Sequence, residues 1–305
     1  MNYLLLAEGF RKWLKTLGYA QSTVYVSVRY VNDFFFYLKS IEVTNLEEIQ
    51  PETINAYHKY LQTRTNKRQR GSLSNNYITG KINALKRFSR YLQETGKPFL
   101  EVNIKTKSDK ETSKTILTTK EIKALYKACD NRVTELAEVL GIRDRAILSI
   151  YYGCGLRRSE GVNLDVKDIL LKEKLLFVRA GKGYKERYVP MTEPVREDLE
   201  NYIYVAREKI QSFKPTKNAV SDDWRKALFL SMQVKRMCGN ALIERVHKLA
   251  QTANIQKQTG LHILRHSIAT HLLQSGMTLE EVSQFLGHSS LESTQIYTHI
   301  ANAEL

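Results

Sequence analysis

The chain has 305 residues, which is enough for two domains that each bury a core. Its formal net charge of +15 favours an anionic partner, either nucleic acid or a membrane surface. We do not expect a membrane protein, because no apolar run approaches the ~20 residues of a spanning helix. The N-terminus also lacks a signal-peptide pattern. The three cysteines are widely spaced, which is typical of reduced thiols in a cytoplasm.

Residues 1–103 predict a basic domain of four helices. Apolar side chains recur three or four residues apart in each of them. The first helix ends at Gly18, the second begins at Ser22 as its N-cap, the third follows Pro51, and the fourth begins near Ser74. The four helices are therefore expected to pack around one core.

Basic residues cluster between the third and fourth helices and along the fourth. They are Arg64, Lys67, Arg68, Arg70, Lys81, Lys86, Arg87 and Arg90. One interpretation is contact with phosphates along a nucleic-acid backbone, and the other is a solvated loop next to a soluble helix face. The overall charge favours phosphate contact, although nothing in this stretch specifies a base sequence to be read.

A polar, lysine-containing segment over residues 104–117 predicts a linker with few buried contacts. Thr118 and Glu121 then form a capping-box pattern, which marks the start of a second domain over residues 118–305. The pattern predicts one helix over residues 119–129. We expect two further helices, over 132–140 and 143–152, on either side of Gly141.

The hydrophobic period then changes from that of helices to that of strands. Three short strands are predicted around Leu170–Leu171, Leu175–Val178 and Arg187–Pro190, and they suit a small antiparallel sheet. Helical periodicity returns at about 194–211, a further short strand is predicted around Leu228–Leu230, and the chain from Gly239 onward is predicted to be helical.

Four polar side chains converge near the C-terminus. His262 and Arg265 are three residues apart, so a helix places them on one face, while His288 follows Gly287 and Tyr297 comes nine residues later. An arginine can hold phosphate oxygens, and a phenol surrounded by cations can attack a phosphodiester. By count alone Tyr297 is one of 17 tyrosines, and only its place in this segment distinguishes it.

Two further cations lie at turns upstream. Arg157 follows Gly155-Leu156 at a predicted helix start, and Lys182 lies between two glycines at a predicted hairpin tip. Taken alone, Arg157 is an ordinary surface arginine with Arg158 as a rival, and Lys182 is an ordinary turn lysine with Lys185 as a rival.

These segments resemble the motifs of the tyrosine recombinase (phage integrase-like) family. The matching patterns are G-L-R-x-S-E, G-K-G-x-K-x-R-x-V-P, H-x-x-R, G-H and the tyrosine in S-T-Q-I-Y-T-H. The resemblance implies six catalytic residues: Arg157, Lys182, His262, Arg265, His288 and the nucleophile Tyr297. It also implies a supporting role for Glu160, and it places Gly161 where many members carry an apolar residue.

The resemblance implies a mainly α fold with a small antiparallel β-sheet in the catalytic domain. A SAM-like four-helix domain and the catalytic domain are expected to form a two-domain, C-shaped DNA clamp. The implied activity is site-specific DNA recombination through a 3′-phosphotyrosyl intermediate, independent of metal, ATP and other cofactors, in the bacterial cytoplasm at the nucleoid. It implies a tetramer on two duplex sites and leaves room for a second related recombinase or an accessory protein.

Several alternatives stay open at this point. The same chemistry would serve a type IB topoisomerase-like relaxase, and an inactive recombinase fold would serve a DNA-binding protein. A third alternative is a metal-dependent nuclease, whose activity EDTA would abolish. A zinc site through His262 and His266 is disfavoured, because it lacks a glutamate base and has Arg265 between its ligands. Integrase, invertase and dimer resolvase are not separated, although the compact layout favours an Xer-like or transposon type.

The segment after Tyr297 is short. Eight residues follow it. Members of the tyrosine recombinase family, which this chain resembles, often carry a longer C-terminal helix that docks on a neighbouring protomer. We therefore expect either that the chain was cut or that protomers communicate through another element, such as the helix that carries Tyr297.

Overall fold

The computed structural model describes residues 3–65, 71–105, 115–130, 133–179, 186–212 and 223–287. Over these ranges the chain is mainly helical with one small antiparallel sheet, as predicted. Contacts divide it into two compact units, Met1–Thr112 and Ser113–Leu305. The predicted basic loop residues Lys67, Arg68 and Arg70 lie outside the described ranges.

The first unit contains helices α1 (Tyr3–Thr16), α2 (Gln21–Ser40), α3 (Pro51–Thr63) and α4 (Asn75–Glu94). The predicted starts of α3 and α4 are confirmed, with Pro51 in the first turn of α3 and the Ser74 hydroxyl accepting a hydrogen bond from the Tyr77 amide at 3.3 Å. The predicted N-cap at Ser22 is wrong. The cap position of α2 is Ala20, which makes no side-chain cap bond.

Aromatic side chains from all four helices meet in the core of the first unit, among many aliphatic ones. Phe10, Phe35 and Phe88 meet edge-on, with ring centroids 5.3 Å apart for Phe10–Phe88 and 5.4 Å for Phe35–Phe88. Phe34 and Tyr57 form a similar pair at 4.9 Å. Such pairs contribute about 0.5–1.5 kcal/mol beyond the burial of their apolar surface. The periodicity that predicted four helices therefore reflects one shared core.

The second unit begins with α5 (Thr119–Ala128), and its predicted capping box is present. The Thr118 hydroxyl accepts from the Glu121 amide at 3.2 Å, and Glu121 Oε2 accepts from the Thr118 amide at 2.7 Å. The structure describes only the two ends of the predicted linker, residues 104–105 and 115–117, and each end contains a buried residue. Ile104 lies in the core of the first unit and Leu117 in that of the second, so the prediction of few buried contacts is wrong for these residues.

A single helix, α6 (Glu135–Leu148), replaces the two helices predicted on either side of Gly141, and a π-helical turn over 149–153 follows it. Gly141 is buried inside α6 and does not end a helix. A Cβ at this position would lie 2.1 Å from the backbone carbonyl oxygen of Cys129. The glycine therefore permits close packing of α6 against the end of α5.

This contact gives a prediction for stability. Helix propensity alone would make Gly141→Ala stabilising by about 0.5–1 kcal/mol. We expect it instead to lower the free energy of unfolding by about 1–3 kcal/mol, because the backbone must shift to admit the methyl group. Urea unfolding followed by circular dichroism measures the change.

Gly80→Ala is the matched control, because Gly80 lies in α4 and its nearest neighbour is the Tyr30 ring at 3.3 Å, which can rotate. We expect it to stay within about 1 kcal/mol of the wild type. A Gly141→Ala variant more stable than the wild type would contradict the packing explanation.

The remaining elements of the second unit frame the site. Helix α7 (Arg158–Val162) leads into strands β1 (Ile169–Leu170), β2 (Leu175–Val178) and β3 (Arg187–Pro190), which pair in the antiparallel order β1-β2-β3. The three predicted strands are confirmed. The following helices are α8 (Glu193–Asn201), α9 (Arg207–Ser212), α10 (Asp223–Lys226), α11 (Gly239–Thr252), α12 (Leu261–Gln274) and α13 (Leu279–Leu286).

One predicted strand is replaced by isolated pairs. Within residues 223–238, Ala227 bridges to Asp165 and Leu230 bridges to Arg236, and no continuous strand runs over Leu228–Leu230. The three residues are nevertheless buried, so their apolar character reflects burial in the core of the second unit. An apolar run of this length does not by itself distinguish a strand from a buried loop.

Candidate active site

Glu160, on α7, is the centre of a cluster of charged side chains. Its Oε2 accepts from the Arg157 amide at 2.8 Å and its Oε1 accepts from Arg157 Nη1 at 2.9 Å. Arg187 on β3 donates to both carboxylate oxygens at 3.0 Å, and Arg265 Nη1 lies 3.9 Å from Oε2. Three guanidinium groups from different elements thus surround one buried carboxylate.

The surrounding arginines keep Glu160 ionised. Burial on its own raises the pKa of this carboxyl, but the hydrogen bonds and charge of Arg187, followed by the bonds from Arg157, lower it to about 2. The stabilisation is therefore fully present above the unfolded-state pKa of about 4.3 and is lost only as the pH falls toward 2. Glu160 is a fixed anion at every physiological pH.

Arg265 is held at the junction of three segments. The residue is 3% exposed on α12, and its guanidinium donates to the carbonyl oxygens of Gly155 and Leu286, the latter at 2.9 Å. Gly155 has a φ of +61°, and a Cβ there would lie 2.8 Å from the Leu286 side chain. The loop before Arg157 therefore packs directly against the end of α13.

Arg157 contacts the same helix end. Its Nη2 donates to the Gly287 carbonyl oxygen at 2.8 Å, next to the Leu286 carbonyl that Arg265 binds. The last carbonyls of a helix lack intrahelical partners and carry partial negative charge, which suits two cations. The two arginines therefore hold two successive carbonyl groups at the end of α13, Arg265 that of Leu286 and Arg157 that of Gly287.

Gly287 is required here for two reasons. It ends α13 with a φ of +66°, in the left-handed region that favours glycine. A Cβ on Gly287 would also lie 2.7–2.8 Å from Nε, Cδ and Cζ of Arg187. The guanidinium of Arg187 thus packs closely on Gly287, and any side chain there would displace it.

Sequence reasoning missed the role of Arg187. The sequence places Arg187 in a short strand, where an arginine normally faces solvent. In the structure its side chain is 12% exposed and pairs with Glu160. The available signal was the motif G-K-G-x-K-x-R-x-V-P, in which Arg187 is one of the matching residues. Periodicity could not identify Glu160 as its counter-ion.

His262 lies on α12 next to the cluster. Burial, followed by the positive charge of Arg265, Arg158 and Arg157, lowers the pKa of this imidazole. A neutral imidazole at pH 7 follows, able to accept a proton at one nitrogen and donate at the other. His262 is therefore placed to exchange a proton beside the arginines, and that role stays a prediction.

Two further histidines, His266 and His271, lie on the same helix as His262. The rings of His262 and His266 stack with centroids 6.3 Å apart. His271 Nδ1 is 2.9 Å from the hydroxyl of Tyr152 in the π-helical turn. Over the ranges that the structure describes, no three His, Cys, Asp or Glu side chains are grouped so that they could hold a metal ion.

The departure at Gly161 has a local explanation. A Cβ at this position would lie 2.4 Å from the hydroxyl of Tyr151, which is fully buried and donates to the Arg158 carbonyl at 3.2 Å. The phenol thus occupies the space of the apolar side chain that the family pattern suggests. The glycine at this position leaves Arg157 and Glu160 in place.

Three predicted catalytic residues, Lys182, His288 and Tyr297, and the rival Lys185 lie outside the described residues. The structure therefore brings together Arg157, Glu160, His262 and Arg265, and the assignment of the full set stays a prediction. The strand that precedes Lys182 ends at Val178, which pairs with Arg187.

The predicted phosphate contacts in the first unit need one correction. Lys81 is 2% exposed, and its ammonium pairs with Asp33 and lies 5.2–5.3 Å from the ring centroids of Tyr30 and Tyr77. This burial contradicts a phosphate contact. Lys81 lies three residues after Ile78 and one before Ile82, on the apolar face of α4, so it occupies a core position and is not part of the basic face.

The other described basic residues remain candidates for phosphate contact. Lys86 and Arg90 are exposed on α4, although Arg90 also pairs with Glu94 at 2.8 Å. The Arg87 guanidinium lies 6.0 Å from the Tyr19 ring centroid. Arg64 pairs with Asp33 at 3.1 Å and is partly exposed. Among the described residues, no helix combines the length and apolar character needed to cross a membrane.

Comparisons with known proteins identify the family of this chain. The model of the phage integrase family matches residues 115–304. The chain is 34% identical over 240 residues to tyrosine recombinase XerC of Oceanobacillus iheyensis, covering 76% of this chain and 73% of that protein. It is 40% identical over 185 residues to tyrosine recombinase XerD of Pseudomonas putida, covering 61% of this chain and 57% of that protein.

Solved structures share the fold. XerH recombinase bound to its difH substrate before cleavage has a TM-score of 0.70 at 20% identity, covering 99% of this chain and 94% of that one. A lambda integrase tetramer bound to a Holliday junction has a TM-score of 0.63 at 13% identity, covering 96% and 76%. The relatives support recombination over relaxation or silent DNA binding. The chain belongs to the phage integrase family and is a tyrosine site-specific recombinase.

Proposed function

We propose that this chain cuts and rejoins duplex DNA at specific sites through a 3′-phosphotyrosyl intermediate on Tyr297. The observation that carries the proposal is the pair of guanidinium groups, Arg157 and Arg265, fixed together at the end of α13 around Glu160. Guanidinium groups bind phosphate oxygens bidentately, and their fixed geometry avoids reorganisation during the reaction. They would hold the scissile phosphate from one side.

The cleavage step balances without a cofactor. The Tyr297 phenol oxygen forms a bond to phosphorus, and the bond from phosphorus to the 5′-oxygen breaks. Lys182 would give a proton to the leaving 5′-oxygen, and His262 and His288 would donate hydrogen bonds or take up the phenol proton. The arginines would stabilise the charge on the pentacoordinate phosphate, so a phenol with an ordinary pKa near ~10 can react at neutral pH.

Rejoining reverses the same bonds. A 5′-hydroxyl from a partner strand would attack the phosphotyrosyl bond and release Tyr297. The phosphotyrosyl ester conserves the energy of the broken phosphodiester. Exchange between two duplexes requires four active protomers, so we propose a tetramer on two DNA sites. The solved tetramer of lambda integrase on a Holliday junction supports this assembly. A bacterial cytoplasmic location at the nucleoid is part of the proposal, because the DNA substrate lies there.

The first unit would grip DNA through phosphates. Neutralising Lys67, Arg68 and Arg70 together should weaken DNA binding and reduce the slope of log K against log salt by about 0.9 for each lost contact. The slope comes from fluorescence anisotropy on a labelled duplex over a salt series. An unchanged slope would mean that these residues form a solvated loop away from DNA.

The matched control removes three other positive charges, all of them lysines. Lys174, Lys209 and Lys248 each pair with a glutamate, Glu193, Glu135 and Glu244 respectively, and each is partly exposed in the second unit. Changing them to glutamine removes the same charge as the first variant. We expect the control to keep the wild-type salt slope within about 0.5, since paired lysines release few counter-ions.

Capture of covalent protein–DNA complexes from the native host tests the proposed function. Wild type and Tyr297→Phe are denatured, purified stringently, and the attached DNA is sequenced. A tyrosine-dependent signal supports the proposal and reveals the target site. One locus near the replication terminus would indicate dimer resolution, element ends would indicate integration, and paired inverted repeats would indicate inversion. No tyrosine-dependent signal under induction would overturn the proposal.

A further inference from the structure

Arg187 contacts two parts of the site at once. On one side its two terminal nitrogens hold both oxygens of Glu160 at 3.0 Å. On the other side its guanidinium packs on Gly287, close enough to exclude a Cβ. Glu160 in turn holds Arg157, and Gly287 is the carbonyl partner of Arg157. Arg187 thus closes a ring of contacts around the first candidate phosphate-binding arginine.

The side chain is also unusually constrained. Within the described ranges its Nε is buried without a hydrogen-bond partner. An unsatisfied buried donor is costly, and native structures tolerate few of them. A lysine or methionine at this position would avoid that cost while filling similar space. The two-sided contact with Glu160 and Gly287 is a reason to retain arginine.

We propose that Arg187 is a positioning residue for DNA cleavage, which aligns Arg157 and the end of α13 by holding Glu160 from one side and Gly287 from the other. The inference rests on the proposed function, since it concerns the same cleavage step. Arg187 need not touch DNA for this role. It also joins β3, the strand paired with β2 at Val178, to the arginine cluster.

Arg187→Lys separates positioning from charge. Lysine can neutralise Glu160, but its single nitrogen cannot hold both carboxylate oxygens while a flat group packs on Gly287. We expect the rate of covalent adduct formation to fall about 10²-fold, because small misplacements of catalytic groups have effects of this size. DNA affinity should stay within about threefold of the wild type, as phosphate contacts in the first unit are untouched.

Arg179→Lys is the matched control. Arg179 lies directly after β2, on the other strand of the same hairpin, and pairs with Asp165 and Asp168 without contacting Glu160. We expect its cleavage rate to stay within about threefold of the wild type. Both variants are assayed in single turnover on a nicked duplex carrying the site captured with the wild type, with DNA affinity and thermal unfolding measured in parallel.

A pH profile distinguishes positioning from a purely structural role. Glu160 faces Arg157 from the cap position of its own helix, Arg187 from β3 and Arg265 from α12. In Arg187→Met its main counter-charge is lost while burial remains, so the pKa of Glu160 rises. The cleavage rate relative to wild type should then fall further as pH drops from about 8 to 5, and Glu160→Gln in the same background should remove that extra dependence.

Each outcome decides something. Slow cleavage by Arg187→Lys with intact DNA affinity, a normal Arg179→Lys, and the extra pH dependence of Arg187→Met together support the proposal. Three results would overturn the role of Arg187 but leave the proposed function intact. They are wild-type cleavage by Arg187→Lys, an equal loss of cleavage in Arg179→Lys, and a loss explained by DNA affinity or unfolding. A wild type that forms no adduct overturns the proposed function, and this inference with it.

Discussion

Tyr297→Phe should abolish the covalent protein–DNA adduct while leaving DNA affinity within about twofold of the wild type. Phenylalanine keeps the ring but lacks the oxygen that bonds to phosphorus, so no ester can form. Affinity is retained because it depends mainly on phosphate contacts by basic side chains. Denaturing gel electrophoresis of a labelled duplex measures the adduct, and anisotropy measures the affinity.

Tyr204→Phe is the matched control for this experiment. Tyr204 is 59% exposed in the second unit and lies outside the arginine cluster. Its loss of one hydroxyl should leave adduct formation at the wild-type level. Adduct formed by Tyr297→Phe would assign the nucleophile to another residue.

Arg265→Lys should slow cleavage about 10²–10³-fold, the effect expected when one fixed donor to a developing charge is removed. The guanidinium of Arg265 bonds the carbonyls of Gly155 and Leu286 from two nitrogens. A lysine has one nitrogen and cannot bridge both carbonyls while presenting charge to a phosphate. Single-turnover cleavage measures the loss, and saturating protein removes any contribution from affinity.

The variant should also lose stability, because one buried carbonyl is left unsatisfied at about 1–3 kcal/mol. Arg143→Lys controls for this effect. Arg143 is equally buried in the same unit and donates to the Leu230 carbonyl at 3.1 Å, outside the cluster. We expect Arg143→Lys to lose similar stability and to cleave at the wild-type rate. Equal slowing in both variants would reduce the Arg265 effect to folding.

Local signals in the sequence predicted much of the fold. Ser74 and Thr118 cap their helices as expected, because a hydroxyl or carboxylate near a helix start satisfies amides only a few residues away. The three short strands follow from short, mostly apolar runs separated by turns. The cap expected at Ser22 is wrong, because α2 already begins at Gln21. Its cap position is Ala20, which makes no side-chain cap bond.

Close packing was beyond the sequence. Glycine often ends a helix, yet Gly141 lies inside α6, because the carbonyl of Cys129 at the end of α5 leaves no room for a Cβ. Lysine is a residue type that often contacts DNA, yet Lys81 is buried against Asp33 and two tyrosine rings. In both cases the deciding neighbour is distant in sequence.

The sequence by itself determined the family and the residue types of the site, because the motif around Arg157 and the H-x-x-R motif are contiguous patterns. Only the tertiary structure decided how these residues are held. Glu160, Arg187 and Gly287 come from three separate segments, and their contacts depend on folding that places β3 beside the end of α13. Spacing along a chain determines which face a side chain occupies, whereas its partner depends on which elements pack together.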